Sequence, residues 1–272
     1  MKRNKKMGYR NYIGFILLLV LAIVLVAYYA TPKTLKKVPQ IPVYDPTLLP
    51  GLRTWFDGTV GLTTSNWSNL GLDGGYASLC NVSISTHNGL DCALFIDGTS
   101  YGSYLETAGT GNRCVFATFK TNSQTPVSSY ILTTGMNTPY NWSVSANTDL
   151  QNNSIFYIVN NTQVINVLNT LPVSGLDLTQ MQTLAITFDS TGSNANSYVI
   201  YNGTNFPITY SSDGSLNTSE ILMWLNGGGE SISGTISADG ITLCELLVYT
   251  VPVTPTDGSN VLHYLKKKWA TP

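Results

Sequence analysis

Glutamates, the first residues to weigh as general acids or nucleophiles, are scarce in this sequence: Glu106, Glu220, Glu230 and Glu245 are the only four. Cleaving a glycosidic bond needs two carboxyl groups about 5–5.5 Å apart for retention, or about 6.5–9.5 Å apart for inversion. On a strand such partners stand two residues apart, because i and i+2 share a face. No Asp follows any of the four glutamates at that spacing. Asp239 and Glu245 are separated by a strand start and do not form a same-face pair. The two histidines, His87 in the turn "THNG" and His263 near the C-terminus, have neither a nucleophile motif nor zinc-ligand spacing around them. These residues predict no catalytic, cofactor-binding or metal-binding set and a protein that is not an enzyme.

Asp57, Asp73, Asp91 and Asp97 fall at strand ends or in turns such as "NLGLDGG" and "FIDGTS", where oxygen ligands for calcium could gather. No dense run of alternating Asp and Asn occurs, so the expectation is turn chemistry without a metal. Cys80, Cys92, Cys114 and Cys244 suit an oxidising compartment with up to two disulfides; four thiols packed in strands is the other reading. Sequons at Asn66, Asn81, Asn141, Asn152, Asn160, Asn202 and Asn217 permit a glycoprotein. In so Asn-, Ser- and Thr-rich a chain their number is close to chance. Trp55, Trp67, Trp142 and Trp224 could offer stacking faces to a sugar, although tryptophans of a sandwich usually lie in its core.

Short strands must position all of these groups. "LRTWF", "CALFI", "RCVFATFK", "SSYILTTG", "NWSVSA", "SIFYIVN", "TQVINVL", "TLAITFD", "SYVIYNG", "ILMWL" and "ITLCELLVYT" are rich in β-branched and aromatic residues, mostly bounded by Gly, Asn, Asp or Ser. "SYVIYNGTNFPITY" reads as a hairpin turning at Asn202-Gly203. Eleven or more strands almost without helical periodicity predict an all-β, two-sheet sandwich over residues 51–272. The last segment, "GSNVLHYLKKKWA", reads as a helix capped by Asp257, with Val261, Leu262, Leu265 and Trp269 as its apolar stripe.

Four stretches occur in a telling order: "LPGLRTWFDG", "LDCALFIDGTSYGSYLET", "RCVFATFK" and "GTISADGITLCELLVYTVPVTPTDGSNVLHYLKKKWA". Together they resemble the concanavalin A-like (laminin-G-like) jelly-roll domains, over nearly all of the chain after residue 49. Those domains begin with a Leu-x-x-Trp-x-Asp strand and close with a Gly-x-Ile-x-Glu-Ile-x-Val-Tyr strand before a Tyr-Leu-x-x-Lys-Trp helix. The resemblance implies that the strand holding Phe116 lies beside the one holding Glu245. Glucan-cleaving enzymes of that fold carry Glu-x-Asp-x-x-Glu on one strand, and nothing here matches it.

The N-terminal part is of another kind. Residues 13–30 carry no charge and would reach ~27 Å as a helix, enough to cross a hydrocarbon core. The exit "AYYA" fits a signal peptidase poorly, whereas Tyr28 and Tyr29 suit a membrane interface. Five cations precede the span and three follow it, which directs the N-terminus to the cytoplasm. The expected organisation is a basic cytoplasmic tail (residues 1–11), a transmembrane signal-anchor helix (12–30), a Pro-rich extended stalk (31–50) and the sandwich. This is a single-pass type II membrane protein whose C-terminal domain is lumenal or extracellular. The second half of the stalk has an alternative, packing along the domain as a non-pairing strand.

Residues 38–265 hold three cations, Arg53, Arg113 and Lys120, against fifteen Asp and Glu, a formal charge of −12. Nucleic acid is excluded as a partner of such a surface, since phosphate binding needs clustered Lys and Arg. A basic anchor, a Pro stalk and a jelly roll with few charges resemble minor capsid and virion-membrane proteins of large DNA viruses. The expected function is therefore a membrane-anchored structural protein, tethering the sandwich to coat or surface proteins. A glycan-binding, lectin-like protein is the alternative, and a glycoside hydrolase the third reading.

Overall fold

The computed structural model describes residues 44–97, 99–105, 111–123, 129–134, 142–148, 154–160, 163–166, 177–189, 197–206, 222–227 and 239–272. The tail and span expected over residues 1–30 lie outside them, as do Asn141, Asn152 and Asn217. Among the described residues no helix is long and apolar enough to cross a membrane.

Residues 44–272 form one compact unit. Its strands in chain order are β1 (Leu52–Asp57), β2 (Asn66–Ser68), β3 (Tyr76–Cys80), β4 (Val82–His87), β5 (Leu90–Phe95), β6 (Tyr101–Leu105), β7 (Arg113–Thr121) and β8 (Ser129–Thr134). They continue with β9 (Trp142–Thr148), β10 (Ser154–Asn160), β11 (Gln163–Asn166), β12 (Gln182–Phe188), β13 (Tyr198–Tyr201), β14 (Thr204–Phe206), β15 (Leu222–Leu225) and β16 (Ile241–Tyr249). One helix, α1 (Pro255–Trp269), follows.

The strands form two antiparallel sheets. The first runs β14-β13-β12-β7-β16-β5-β4, with β1 pairing along the part of β16 beyond β5. The second runs β11-β10-β9-β8-β15-β6-β3-β2. Within the first, β7 and β16 are neighbours, with Phe116 opposite Leu247.

Burial explains the composition of each strand. β16, "ITLCELLVY", is buried at every position because one face meets the second sheet and the other meets α1. β3, "YASLC", alternates instead, with Ala77 and Leu79 inward and Tyr76 and Ser78 exposed. Between the sheets Phe56, Trp67, Phe95, Phe119, Leu132 and Leu246 belong to one core. A second apolar cluster, with Phe116, Leu247, Tyr249, Val261, Leu265 and Trp269, seats α1 on the outer face of the first sheet. Each large apolar side chain so buried contributes roughly 1.5–3 kcal/mol.

The β13–β14 hairpin turns at Asn202-Gly203, with φ of 48° and 86°, the positive pair a two-residue turn requires. Two local expectations change. The helix cap is Thr254, not Asp257: the Thr254 hydroxyl oxygen accepts from the Asp257 amide at 3.2 Å, and Pro255 occupies the first turn. Asp257 instead receives the Thr254 hydroxyl at 2.7 Å, because the chain turns helical three residues earlier than its apolar stripe implies. Residues 44–50 pack on the domain, as the alternative for the second half of the stalk has it, but through a 3-10 turn and not a strand. Asp45 caps a 3-10 turn over Pro46–Leu48, Tyr44 and Leu49 pack against the helix-side cluster, and the Tyr249 hydroxyl donates to the Pro46 carbonyl at 3.0 Å.

Candidate functional site

Glu245, set in the apolar strand β16, is fully buried beneath α1. Its Oε1 accepts from Trp55 Nε1 and from the Tyr264 hydroxyl, each at 2.8 Å. Its Oε2 accepts from Trp269 Nε1 at 2.7 Å and lies 2.9 Å from Lys268 Nζ. Lys268 also reaches Asp57 Oδ2 at 2.6 Å, while the amide and hydroxyl of Thr59 donate to Asp57 Oδ1. Burial pushes the Glu245 carboxyl above its ordinary range; Lys268 pulls it down and Asp57 pushes it up again. Burial, reinforced by Glu245, likewise raises the Tyr264 hydroxyl. Both carboxylate oxygens face protein donors, so this cluster fastens the helix to the sheet and presents no acid to a substrate. It unites the Trp55-x-Asp57, Glu245 and Lys268-Trp269 positions of the quoted stretches. A lone Glu inside "ITLCELLVY" was the available signal, since a buried carboxylate demands partners.

The other singled-out carboxylates are scattered: Asp97 holds a turn, and Asp73, its side chain only 5% exposed, is ion-paired. Asp73 pairs with Arg53 at 3.4 Å. Asp97 accepts from the amide and hydroxyl of Thr99 at 2.8 and 2.7 Å, bonds that hold it below the usual carboxylate range. Asp91 is exposed on β5. Among the described residues no three of His, Cys, Asp and Glu are grouped to hold a metal ion. His87 Nε2 lies 2.9 Å from the Trp269 carbonyl and helps hold the helix end, whereas His263 is exposed.

Cys92 and Cys244 are disulfide-bonded between the neighbouring strands β5 and β16, with Cα atoms 4.2 Å apart. Cys80 and Cys114 are free thiols, and burial pushes Cys114 up to about 12. Of the sequon residues, Asn66 and Asn81 are exposed, and Asn160 ends β10. Asn202 holds a turn with both ends of its amide, accepting from the Thr183 amide and donating to Gln182 Oε1.

The outward face of the second sheet is built differently. Ser78, Ser103, Trp224 and Thr133 stand in register across β3, β6, β15 and β8, and so share one face. The next row, Leu79, Gly102, Leu225 and Leu132, points to the core. There Gly102 leaves room for Leu79, whose Cδ2 would lie 2.8 Å from any Cβ. Tyr101 meets Trp224 edge-on with centroids 5.5 Å apart. Farther along, this face is covered: Thr133 is 1% exposed, and the buried Trp224 Nε1 and Thr133 Oγ1 have no hydrogen-bond partner among the described residues.

At one end of this face lies an open cleft of about 410 Å³. Tyr76, Ser78, Ser103, Leu105 and Leu222 contribute from the sheet, and Asp73, Gly74 and Gly75 from the turn before β3. Tyr76, Leu105 and nearby Leu72 are 60%, 65% and 72% exposed. The turn is held rigidly. Asn69 Oδ1 accepts from the amides of Trp55 and Gly71, and its Nδ2 donates to Arg53 O, Gly74 O and the Tyr104 hydroxyl. Gly74 and Gly75, at φ of 62° and 75°, make the consecutive left-handed bend this path needs. An exposed aromatic ring beside hydroxyls is a surface on which a sugar ring can stack and hydrogen-bond. Of these residues the sequence points to Asp73, as a calcium candidate, and to Trp224, as a stacking face; Trp67 and Trp269 are wholly buried, Trp55 donates to Glu245, and Trp142 lies on β9.

No protein-family model and no curated protein matches the chain. Solved structures do. Domain 4 of the GH43 extracellular arabinanase AbnA from Geobacillus stearothermophilus, bound to arabinotriose, is 12% identical with a TM-score of 0.58, covering 78% of this chain and 98% of that one. Botulinum neurotoxin type C, which depends on two ganglioside molecules to enter cells, is 11% identical with a TM-score of 0.58, covering 79% and 51%. Trypanosoma rangeli sialidase is 11% identical with a TM-score of 0.54, covering 80% of this chain but only 33% of the sialidase. These likenesses show a jelly-roll-like β-sandwich. At such identities they show the fold alone.

Proposed function

We propose that this chain is a membrane-anchored, lectin-like protein of the concanavalin A-like type, binding glycans in the cleft beside Tyr76 without cleaving them. The observation that carries this reading is the cleft itself: an exposed ring and a row of hydroxyls on a rigid turn and a rigid sheet, in a volume suited to a few sugar units. Likeness to an arabinanase domain holding arabinotriose and to a ganglioside-dependent toxin supports glycans over coat proteins as the partner. Binding without hydrolysis is supported by Glu245, the one glutamate among the described residues, whose oxygens face four donors. In this reading residues 12–30 anchor the chain with its N-terminus in the cytoplasm, and the sandwich faces outward.

The test is a glycan array probed with the full chain in mild detergent, alongside hydrolysis assays on the hits. Selective binding that Tyr76→Ala abolishes, with every hit left intact, is the expected result. No glycan bound, with salt-sensitive copurification of a coat or surface protein instead, would return the assignment to a structural tether. Released sugar would make it a hydrolase.

A further inference from the structure

Resting on the glycan-binding reading, the charge inventory specifies which glycans the cleft accepts. After residue 37 the sequence holds six cations. Arg113 is wholly buried in β7 and Lys120 lies on the same strand, both in the first sheet. Lys266, Lys267 and Lys268 lie on α1, which packs on the outer face of that sheet. Only Arg53 comes near the cleft, and its guanidinium is paired 3.4 Å from Asp73, a carboxylate of the cleft lining. The segments after residue 44 that lie outside the described residues contain no Lys or Arg.

We propose that the cleft selects neutral glycans and rejects sialylated, sulfated and other anionic ones. A bound sialate or sulfate would shed water against a lining with no free guanidinium or ammonium to answer it, on a sandwich whose carboxylates far outnumber its cations, and an unanswered charge is costly to desolvate. A neutral ring meets Tyr76, the hydroxyls of Ser78 and Ser103 and the apolar flanks of Leu105 and Leu222, none of which requires a counter-charge. Asp73, its side chain only 5% exposed, acts by occupying Arg53, the described cation beside the cleft.

The experiment compares matched pairs on the array, such as lactose against 3′-sialyllactose, followed by titration of the best neutral hit and its sialylated form at low and high salt. The neutral member should bind about tenfold more tightly or better, with affinity unchanged by salt, while the anionic member gains as salt screens the repulsion. Asp73→Asn, which frees Arg53, should shrink the preference. Tighter binding of the sialylated member would overturn this inference and leave the glycan-binding reading standing. Absence of binding to every glycan would overturn both.

Discussion

The ammonium of Lys268 sits 2.9 Å from the carboxylate of Glu245, which is wholly removed from solvent. The same ammonium holds Asp57 at 2.6 Å, so one cation compensates two carboxylates beneath the helix. Lys268→Met would leave both acids facing each other in a low-dielectric site. Breaking a buried pair in this way costs about 3–5 kcal/mol, and urea unfolding should show a loss of that size. Lys267→Met, on the exposed side of the same turn, should stay within about 0.5 kcal/mol. Equal effects at the two positions would mean that the cluster does not fasten the helix.

Glu245 also gives stability a particular pH dependence. Burial raises its folded value above the ordinary 4.5, so the folded state favours the protonated acid more than the unfolded chain does. Its contribution is complete below 4.5 and is lost as pH rises through the raised folded value. Unfolding free energies of wild type and Glu245→Gln, measured upward from that pH, should differ by an amount that moves against the wild type as pH increases. A pH-independent difference would place the carboxylate in a better solvated setting than the structure gives it.

The sandwich and its helix are legible in the sequence because β-branched and aromatic runs coincide with strands buried on one or both faces. β7, β12 and β16 stand out for that reason. β2, β3, β4 and β6 do not, because "NWS", "YASLC", "VSISTH" and "YGSYL" mix Ser and Gly with single apolar residues. Those polar positions turn outward, and on β3 and β6 they build the cleft. The candidate site is therefore written in the residues that weaken the strand signal. Its assembly depends on cross-strand register, which brings Ser78, Ser103 and Trp224 together from distant parts of the chain and is set by long-range pairing. Glu245 was visible as an oddity in its strand, but its partners Trp55, Tyr264 and Lys268 come from both ends of the domain.

The Cys92–Cys244 bond joins two fully buried residues 152 positions apart. Alkylating the unfolded, unreduced protein should label two thiols, Cys80 and Cys114, where a fully reduced chain would take four labels. Replacing both bonded cysteines by alanine should lower stability by roughly 2–5 kcal/mol, as loss of a native disulfide usually does. Cys80→Ala, at a half-buried free thiol, should change it far less.

The aromatic groups of the second sheet allow the binding surface to be separated from the fold. Tyr76 is largely exposed and has no place in either apolar cluster, so Tyr76→Ala should alter stability by no more than about 0.5 kcal/mol. If its ring is the platform for a sugar, the same change removes a central contact, typically worth about 2 kcal/mol or more, roughly a thirtyfold loss of affinity. Ser103→Ala, which removes one hydroxyl from the cleft floor, should cost about 1 kcal/mol of binding, near fivefold. Trp269→Ala provides the contrast: its indole is buried and donates to Glu245, so binding and folding should fail together. Calorimetric titration of each variant with the best array hit, alongside its urea midpoint, reads both quantities. A Tyr76→Ala protein that folds normally and binds as tightly as wild type would move the glycan off this cleft.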